Sequence, residues 1–272
     1  MDLTGSQKIA LAYMAVLVLF WVTLFTTHIT SGTYSYLFSF LFGLTPLVGG
    51  IVAMYQSRVW GGTKSAVGKA VFFIGLGIFF WGMGESVWSY YNFFLKVAAP
   101  YPSFADLGFA PSIFFYGLGA LYLSRATGAK YGLRDKAAKF FVTLAPLVIL
   151  LLSYYLLVTV ARGGVLVPDG ETPLKIFLDL VYPLGDFVGL TIAVVVSGLS
   201  FRYLGGRYLP SIIFILFGLA TMFLADTVFS YTTTVGTYYN GDFGDLLLAF
   251  GTFFLTFGVL GFAHIKSAPA PQ

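Results

Sequence analysis

The sequence predicts an all-α polytopic membrane protein with eight transmembrane helices. Of its 272 residues, 58% are hydrophobic and 10% are charged, and the mean hydropathy is +0.87. Soluble domains carry about 25% charged residues, so this composition indicates a chain that folds mainly within lipid. Eight apolar runs have the length of about 20 residues that crosses the hydrocarbon core of a bilayer. We therefore predict one transmembrane domain over residues 1–266 and a disordered tail over 267–272.

The spans follow one another through short connections. The first run is too long, and too closely followed by the second, to be a cleaved signal peptide, so we expect it to be a true span. The predicted spans are 8–29, 34–56, 68–95, 106–124, 139–161, 174–200, 208–232 and 243–265. Pro183 stands inside the sixth span between two acidic residues, where a missing N–H kinks a helix or frees a carbonyl for a ligand.

The basic residues predict the orientation of these spans. Twelve flank the side that carries both chain ends: Lys8, Arg58, Lys64, Lys69, Arg125, Lys130, Arg134, Lys136, Lys139, Arg202, Arg207 and Lys266. Three flank the other side: Lys96, Arg162 and Lys175. Since cytoplasmic loops are enriched in lysine and arginine, we expect both termini to be cytoplasmic and the protein to be a multi-pass protein of the plasma membrane.

A motif recurs along the chain and predicts internal repeats. Glu85-x-Val-Trp-Ser-Tyr matches Asp226-x-Val-Phe-Ser-Tyr, and each motif is followed by an Asp-Leu pair, at Asp106 and at Asp245. A looser copy runs from Ser153-Tyr154-Tyr155 to Asp179-Leu180-Val181-Tyr182. The pattern predicts three tandem helical hairpins after two N-terminal helices.

Six carboxylates lie within the predicted spans, and they are the candidate functional residues. They are Glu85, Asp106, Asp179, Asp186, Asp226 and Asp245. A carboxylate in a transmembrane helix is costly and usually faces a partner, a cavity or an ion path. The alternation of the spans places nearly all six in the outer half of the membrane. No basic residue lies in the spans to neutralise them, because Lys96 and Lys175 are placed at the outer rim, although Ser89 and Ser230 stand one helical turn after Glu85 and Asp226.

Two ligand classes fit this set of acids. All-oxygen ligands suit a hard metal cation such as calcium, magnesium or sodium. An organic cation would instead be held by carboxylates within an aromatic surround. The candidates for that surround are Trp88, Tyr90, Tyr91, Tyr154, Tyr155, Tyr182, Tyr231, Tyr238 and Tyr239, of which we assign Trp88, Tyr90, Tyr182 and Tyr231 to the ligand site. The structural alternative is that the aromatic residues form an ordinary interfacial belt and that the acids are protonated or hydrogen-bonded between helices.

Other chemistries are disfavoured by the residues that the chain carries. It contains no cysteine, so it has no disulfide, thiolate metal site or iron–sulfur cluster. His28 and His264 are predicted at opposite sides of the membrane, which argues against a two-histidine haem, and no lysine occupies mid-membrane to carry retinal. The basic residues follow membrane topology and indicate no nucleic-acid partner. No cofactor is predicted beyond a bound cation.

One stretch resembles a known kind of sensor. The residues Pro102-Ser103-Phe104-Ala105-Asp106-Leu107-Gly108-Phe109 precede an aromatic and glycine-rich helix. Over about one hairpin, Trp81 to Leu123, the chain resembles the multi-helix sensor regions that precede diguanylate cyclase, phosphodiesterase or histidine kinase modules in prokaryotes. The resemblance implies an outward-facing sensory role in which Asp106 takes part. Because no such output module follows the eighth span, we expect signalling through a cytoplasmic or membrane partner chain.

The sequence therefore favours a receptor-like, non-catalytic membrane protein whose outward acidic and aromatic cavity binds a cation or small cationic ligand. An ion- or proton-coupled transporter is the first alternative, although tandem hairpins differ from the inverted repeats of many transporters. A structural subunit of a larger membrane complex is the second. An intramembrane aspartyl protease is a minor one, since Leu184-Gly185-Asp186-Phe187 partly matches a Gly-x-Gly-Asp motif, with Asp226 or Asp179 as the second acid.

Overall fold

The computed structural model is all-helical and describes residues 3–127, 136–166, 170–200 and 208–263, excepting the side chains of 136–138, 186 and 197–200. Its helices are α1 Gly5–Thr26, α2 Thr33–Ser57, α3 Ala66–Tyr90, α4 Asp106–Ala126, α5 Lys136–Ser153, α6 Pro173–Ser200, α7 Leu209–Thr234 and α8 Phe243–Leu260. All eight belong to segments that are long and apolar enough to cross a membrane. The predicted all-α architecture is confirmed for the described residues, with eight helices of the predicted spanning length.

The helix ends differ from the predicted spans where polar residues begin or prolong a helix. Thr4 caps α1 through a reciprocal capping box with Gln7, so α1 begins before its apolar run does. A 3-10 turn, Arg58–Trp60, prolongs α2. The π-helical turns Tyr91–Leu95 and Tyr154–Val160 prolong α3 and α5. A search for apolar runs misses the ends at Thr4 and at Arg58 because capping and turn residues are often polar, whereas the predicted spans 68–95 and 139–161 already include both π-helical turns.

Six helices form a closed ring. Around it, α2 packs on α3, α3 on α4, α4 on α6, α6 on α7, α7 on α8, and α8 on α2. Helix α1 lies outside the ring against α2 and α8, whereas α5 lies outside against α6 and, through its π-helical turn, against α7. Helix α8 also contacts α3 and is 78% buried within its span, so it is the central helix of the described bundle.

Close approach of helix backbones holds the first half of the ring together. A Cβ atom added to Gly50 of α2 would lie 2.5 Å from the backbone nitrogen of Phe79 in α3. A Cβ atom added to Gly108 of α4 would lie 2.3 Å from the backbone nitrogen of Gly84 in α3. Small residues at such crossings are typical of helix packing in lipid, where van der Waals contact replaces the hydrophobic effect.

The first and the last described residues lie on one side of the bundle, which we call the terminal side. There Gln7 Nε2 donates to the Phe257 carbonyl at 3.0 Å, and Trp60 Nε1 donates to the Phe262 carbonyl at 3.0 Å. The ring of Tyr208 stacks on Phe262 with centroids 5.5 Å apart. The connections that follow α1, α3, α5 and α7 lie on the opposite side, which we call the carboxylate side.

One connection on the carboxylate side is inserted into the bundle. Asn240 accepts from Trp88 of α3, and Trp21 of α1 donates to the carbonyls of Gly241 and Asp242. Trp88 lies seven residues before Leu95, so the connection reaches ~10 Å below the end of that span. Irregular backbone occurs at such depth only where protein or a water-filled cavity surrounds it. We call residues 238–242 the inserted segment.

Candidate functional site

The structure separates the predicted acidic residues into two groups. Glu85 of α3 and Asp245 of α8 lie close enough to interact electrostatically, and both side chains are buried, with 5% and 2% exposure. Asp106 of α4 and Asp179 of α6 belong to a second group, joined through Tyr101 and Tyr182. We call the first group the Glu85–Asp245 site and the second the Asp179–Arg162 network.

Helix α2 supplies the space and a hydroxyl group for the Glu85–Asp245 site. A Cβ atom added to Gly43 would lie 2.5 Å from Glu85 Cγ, so the absence of a side chain there admits the glutamate. One turn earlier on α2, Ser39 lies beside the Glu85 carboxylate, and its Oγ lies 3.4 Å from Asp245 Oδ2. Ser39 has one proton to donate, so it satisfies only one acceptor at a time.

The inserted segment places an amide oxygen above the two acids. Asn240 Oδ1 lies 2.9 Å from Trp88 Nε1, 3.1 Å from Asn92 Nδ2, 3.2 Å from Ser39 Oγ and 3.4 Å from Tyr238 Oη. An amide oxygen has two lone pairs, so the two nearer nitrogen donors fill it. The hydroxyls of Ser39 and Tyr238 then remain available to the Asp245 carboxylate, which each approaches at 3.4 Å.

Helix α8 begins at the site and orients Asp245. Asp242 is the N-cap and accepts from the Asp245 backbone N–H at 3.0 Å, while Gly241 N donates to Asp245 Oδ2 at 2.7 Å. The pKa of Asp242 is raised because the residue is buried, and hydrogen bonds from Asp245, Gly244 and Thr232 lower it in part. The N-terminus of a helix favours negative charge, and both acids of this turn use it.

The hydroxyls of the inserted segment remain protonated beside these acids. Burial raises the pKa of Tyr238 well above its usual range, and the charges of Asp245 and Glu85 raise it further. Burial and the charges of Asp242 and Asp245 likewise raise the pKa of Tyr239. Tyr238 therefore acts as a hydrogen-bond donor at neutral pH and supplies no negative charge.

Two polar atoms of the Glu85–Asp245 site have no hydrogen-bond partner. They are Glu85 Oε1 and Ser89 Oγ, and the Ser89 side chain is 3% exposed. Glu85, Ser89 and Asn92 follow one another at helical spacing on one face of α3, which meets Gly43 and Asn240. The local Glu85–Ser89 hydrogen bond that the sequence allowed is thus not formed. Three ion pairs occur among the described residues, and none includes Glu85 or Asp245.

In the Asp179–Arg162 network, by contrast, basic side chains of the protein itself lie beside the buried carboxylate of Asp179. Arg162 Nη1 lies 3.5 Å from Asp179 Oδ1 and donates to the Asp179 carbonyl at 3.1 Å. Lys175 Nζ lies 3.9 Å from Asp179 Oδ2, and Tyr101 Oη donates to Asp179 Oδ1 at 3.0 Å. Burial, followed by the Asp179 charge, raises the pKa of Tyr101 above its ordinary value. The expectation that no basic residue reaches the acids is therefore wrong for Asp179, because Arg162 extends from the end of α5 across α6.

Asp106 is also satisfied within the chain. Tyr182 Oη donates to Asp106 Oδ1 at 2.5 Å, and Ser103 N donates to Asp106 Oδ2 at 2.7 Å. Asp226 of α7 lies within electrostatic reach of Tyr116 and Tyr182. The side chain of Asp186, which was predicted to reach deepest, lies outside the described residues.

The predicted aromatic surround is found only in part. Trp88 lies in the Glu85–Asp245 site and Tyr182 in the Asp179–Arg162 network, as the preceding contacts show. Tyr90 and Tyr231 are 51% and 45% exposed, and Tyr90 stacks on Phe94 with centroids 5.2 Å apart. No hydrogen bond is recorded between either tyrosine and a described acidic side chain. The assignment of these two tyrosines to the acidic surround is not supported by their contacts.

Sequence reasoning included Tyr238 in the aromatic surround, and Tyr238 lies at the Glu85–Asp245 site, but it did not identify Ser39, Asn92 or Asn240 as site residues. A signal for the asparagines was present: the chain has two, and each follows a Tyr-Tyr pair, at 90–91 and at 238–239. In the structure these two asparagines hydrogen-bond to each other. Among the described residues, no three acidic or histidine side chains are placed to bind a metal ion together, so a metal at this site would need hydroxyl and amide oxygens as well.

Compared with protein-family models, curated proteins and solved structures, the chain matches none of them.

Proposed function

We propose that this chain is a receptor-like membrane protein that binds a cation between Glu85 and Asp245. The observation that carries the proposal is the pairing of two acids at this site: two buried carboxyl groups interact, and Glu85 Oε1 has no partner. Two neighbouring carboxyl groups out of water cannot both be ionised unless a positive charge neutralises them. The Asp179–Arg162 network supplies its own, whereas the described surroundings of Glu85 do not.

An outward orientation of the site follows from the basic residues. Arg58, Lys64, Lys69 and Arg125 lie at helix ends on the terminal side, opposite the inserted segment. Because positive residues accumulate on the cytoplasmic side of cell membranes, we place the terminal side in the cytoplasm of a plasma-membrane protein. The site then opens toward the outside, where a ligand arrives, and a partner chain on the terminal side would receive the signal.

The inserted segment connects ligand binding to the rest of the bundle. It joins α7 to α8 and contacts α1, α2 and α3 through Trp21, Ser39 and Trp88. A cation that draws Glu85 and Asp245 together would shift the contacts of Asn240 and hence the position of α8 against α2. This coupling is what a receptor requires, since a ligand changes an equilibrium only through different affinities for its two states.

A transporter is the second candidate, favoured by one observation. Non-helical backbone lies beside two acids at membrane depth, and broken helices at such depth form the ion sites of many secondary transporters. Flux of the bound cation into proteoliposomes separates the two functions: uptake that Glu85→Gln abolishes identifies a transporter, and binding without flux identifies a receptor.

The test of the proposed site is thermal unfolding of the purified chain across pH and a panel of sodium, potassium, magnesium, calcium and ammonium salts. A cation that binds only the folded state adds roughly 2.7 kcal/mol at about a hundred times its dissociation constant. We expect this shift in the parent and its loss in Glu85→Gln. The variant Asp106→Asn removes the same charge from the other group and should keep the shift. If no salt cation stabilises the parent more than Glu85→Gln, the proposal is wrong, and a stabilisation by protons alone identifies the acids as protonated structural groups.

A further inference from the structure

The ring of six helices has the order expected of two copies of one unit. Going around it, α2, α3 and α4 are followed by α6, α7 and α8, and each set begins and ends against the other. Each set is preceded in the chain by a helix outside the ring, α1 or α5. Helices four positions apart run in the same direction, so the two units would be related by an axis along the membrane normal, as parallel repeats are.

Side-chain packing repeats at the same sequence offsets. A Cβ atom added to Gly77 of α3 would meet Tyr116 of α4 at 2.6 Å, and one added to Gly218 of α7 would meet Leu255 of α8 at 2.8 Å. Gly218 lies 141 residues after Gly77, the spacing that also separates Glu85 from Asp226. Leu255 lies 139 residues after Tyr116, the spacing that separates Asp106 from Asp245.

A second pair of contacts obeys the same offsets. Gly119 of α4 packs on Ile74, whose Cγ1 would lie 2.4 Å from an added Cβ atom, and Gly258 of α8 packs on Ile215 at 2.7 Å. The axis itself is marked by Trp88 and Phe229, which are counterparts in the repeated motif and contact each other with ring centroids 6.2 Å apart. Counterparts touch in this way only where a twofold axis passes between them.

The two copies differ at one polar contact. In the second copy, Arg162 Nε donates to Ser230 Oγ at 3.4 Å. The counterpart of Ser230 in the first copy is Ser89. The buried Oγ of Ser89 has no hydrogen-bond partner, and neither has Oε1 of Glu85 one helical turn away. The second copy thus carries a guanidinium group at the place where the first has two unsatisfied oxygen atoms.

From this difference we infer that the chain consists of two four-helix units and that the first unit binds a small cation with N–H donors, such as a guanidinium or primary ammonium compound. This cation binds Glu85 and Ser89 at the position that the guanidinium group of Arg162 occupies in the second unit. The inference rests on the proposed function and specifies the class of its ligand. N–H groups of a cation satisfy a carboxylate and a hydroxyl together through charge-assisted hydrogen bonds, and Trp88 and Tyr238 offer aromatic surface beside them. The two four-helix units replace three hairpins as the repeat that the contacts favour.

The experiment compares methylguanidinium, methylammonium and tetramethylammonium chlorides at equal concentration, by thermal unfolding and by calorimetric titration of the purified chain. Tetramethylammonium carries the same charge but has no N–H group, so it isolates hydrogen bonding in the parent without any substitution. We expect one of the two N–H cations to bind and tetramethylammonium not to. Ser89→Ala should weaken the binding about tenfold or more, as loss of a hydrogen bond to a charged group does. Ser230→Ala, the matched change in the second unit, should leave it unchanged.

Arg162→Ala provides a further check, because methylguanidinium should bind beside Ser230 in this variant and restore part of its lost stability. Equal binding of tetramethylammonium, or equal effects of Ser89→Ala and Ser230→Ala, would overturn the inference. Stabilisation by sodium that depends on Glu85, without a response to either N–H cation, would overturn the inference but would still support the proposed cation site. If no cation effect depends on Glu85, the proposed function fails with it.

Discussion

The position of the Glu85 side chain depends on the absence of a side chain at Gly43. Its carboxylate reaches the site because Gly43 on the facing helix has no Cβ atom. The apolar interior of a membrane protein makes a buried carboxylate costly, so the space and the hydroxyl group that α2 provides are needed for it to remain there. The glycine at position 43 is thus part of the site, although it donates and accepts nothing through a side chain.

Gly43→Ala is therefore expected to destabilise the protein and to impair the site. The new methyl group would lie 2.5 Å from Glu85 Cγ, and overpacking of this kind costs about 1–3 kcal/mol. Equilibrium unfolding in detergent measures the change. Gly189→Ala is the matched control, because no atom lies within 4 Å of a Cβ atom added there, and it should be neutral or slightly stabilising. Equal losses in both variants would show that Glu85 does not require the space.

At the scale of elements, the first turn of α8 is where the inserted segment becomes a helix. Asp242 caps this turn, and its carbonyl accepts from Trp21. Burial raises its pKa above the ordinary value, so the folded state holds a proton more strongly than the unfolded chain does. Stability from this group is therefore present at low pH and is lost as pH rises from the unfolded to the folded pKa.

Asp242→Asn tests this sign. Asparagine keeps the capping oxygen and does not titrate, so the variant should gain stability relative to the parent as pH rises through the window above 3.8, the ordinary pKa of the group. Thermal unfolding of both proteins from acidic to neutral pH gives the difference curve. Asp242→Ser, which also caps and does not titrate, should give the same dependence on pH. A difference that falls with rising pH would contradict the assignment.

At the scale of the whole molecule, the eight described helices form one bundle, and the first and last described residues lie on one side of it. The ring closes through the contact between α8 and α2, so its last helix stabilises its first. The closure also brings Asp245 to Glu85, 160 positions earlier. Loss of α8 would remove the site and the centre of the bundle together.

The orientation of the bundle can be measured directly because the chain has no cysteine. Thr63→Cys lies on the terminal side and Thr237→Cys on the carboxylate side, and both positions are exposed. A thiol reagent that does not cross membranes should label Thr237→Cys in intact cells and label Thr63→Cys only after permeabilisation. The parent chain is the blank for both. The reverse pattern would place the Glu85–Asp245 site toward the cytoplasm.

The helices were predictable because insertion of a span depends on its own composition. Each apolar run satisfies its backbone hydrogen bonds within itself, so the number of spans and their approximate positions follow from hydropathy alone. The carboxylates at Glu85, Asp106, Asp179, Asp226 and Asp245 were also identifiable, since a charged group in such a run is conspicuous. By itself the sequence therefore determined the all-helical membrane fold and the residues from which a site is built.

Only the tertiary structure decided which of these residues meet. Asp179 of α6 contacts Arg162 in the connection that follows α5, Glu85 of α3 lies near Asp245 of α8, and Asn240 lies in a connection that hydropathy would place outside the bilayer. Which of these side chains come into contact depends on how the helices pack against one another, and that packing depends on close approach of backbones at small residues. Charge balance depends on which side chains are neighbours in space. The structure was therefore needed to show that Asp179 pairs with Arg162 and that Glu85 Oε1 has no hydrogen-bond partner.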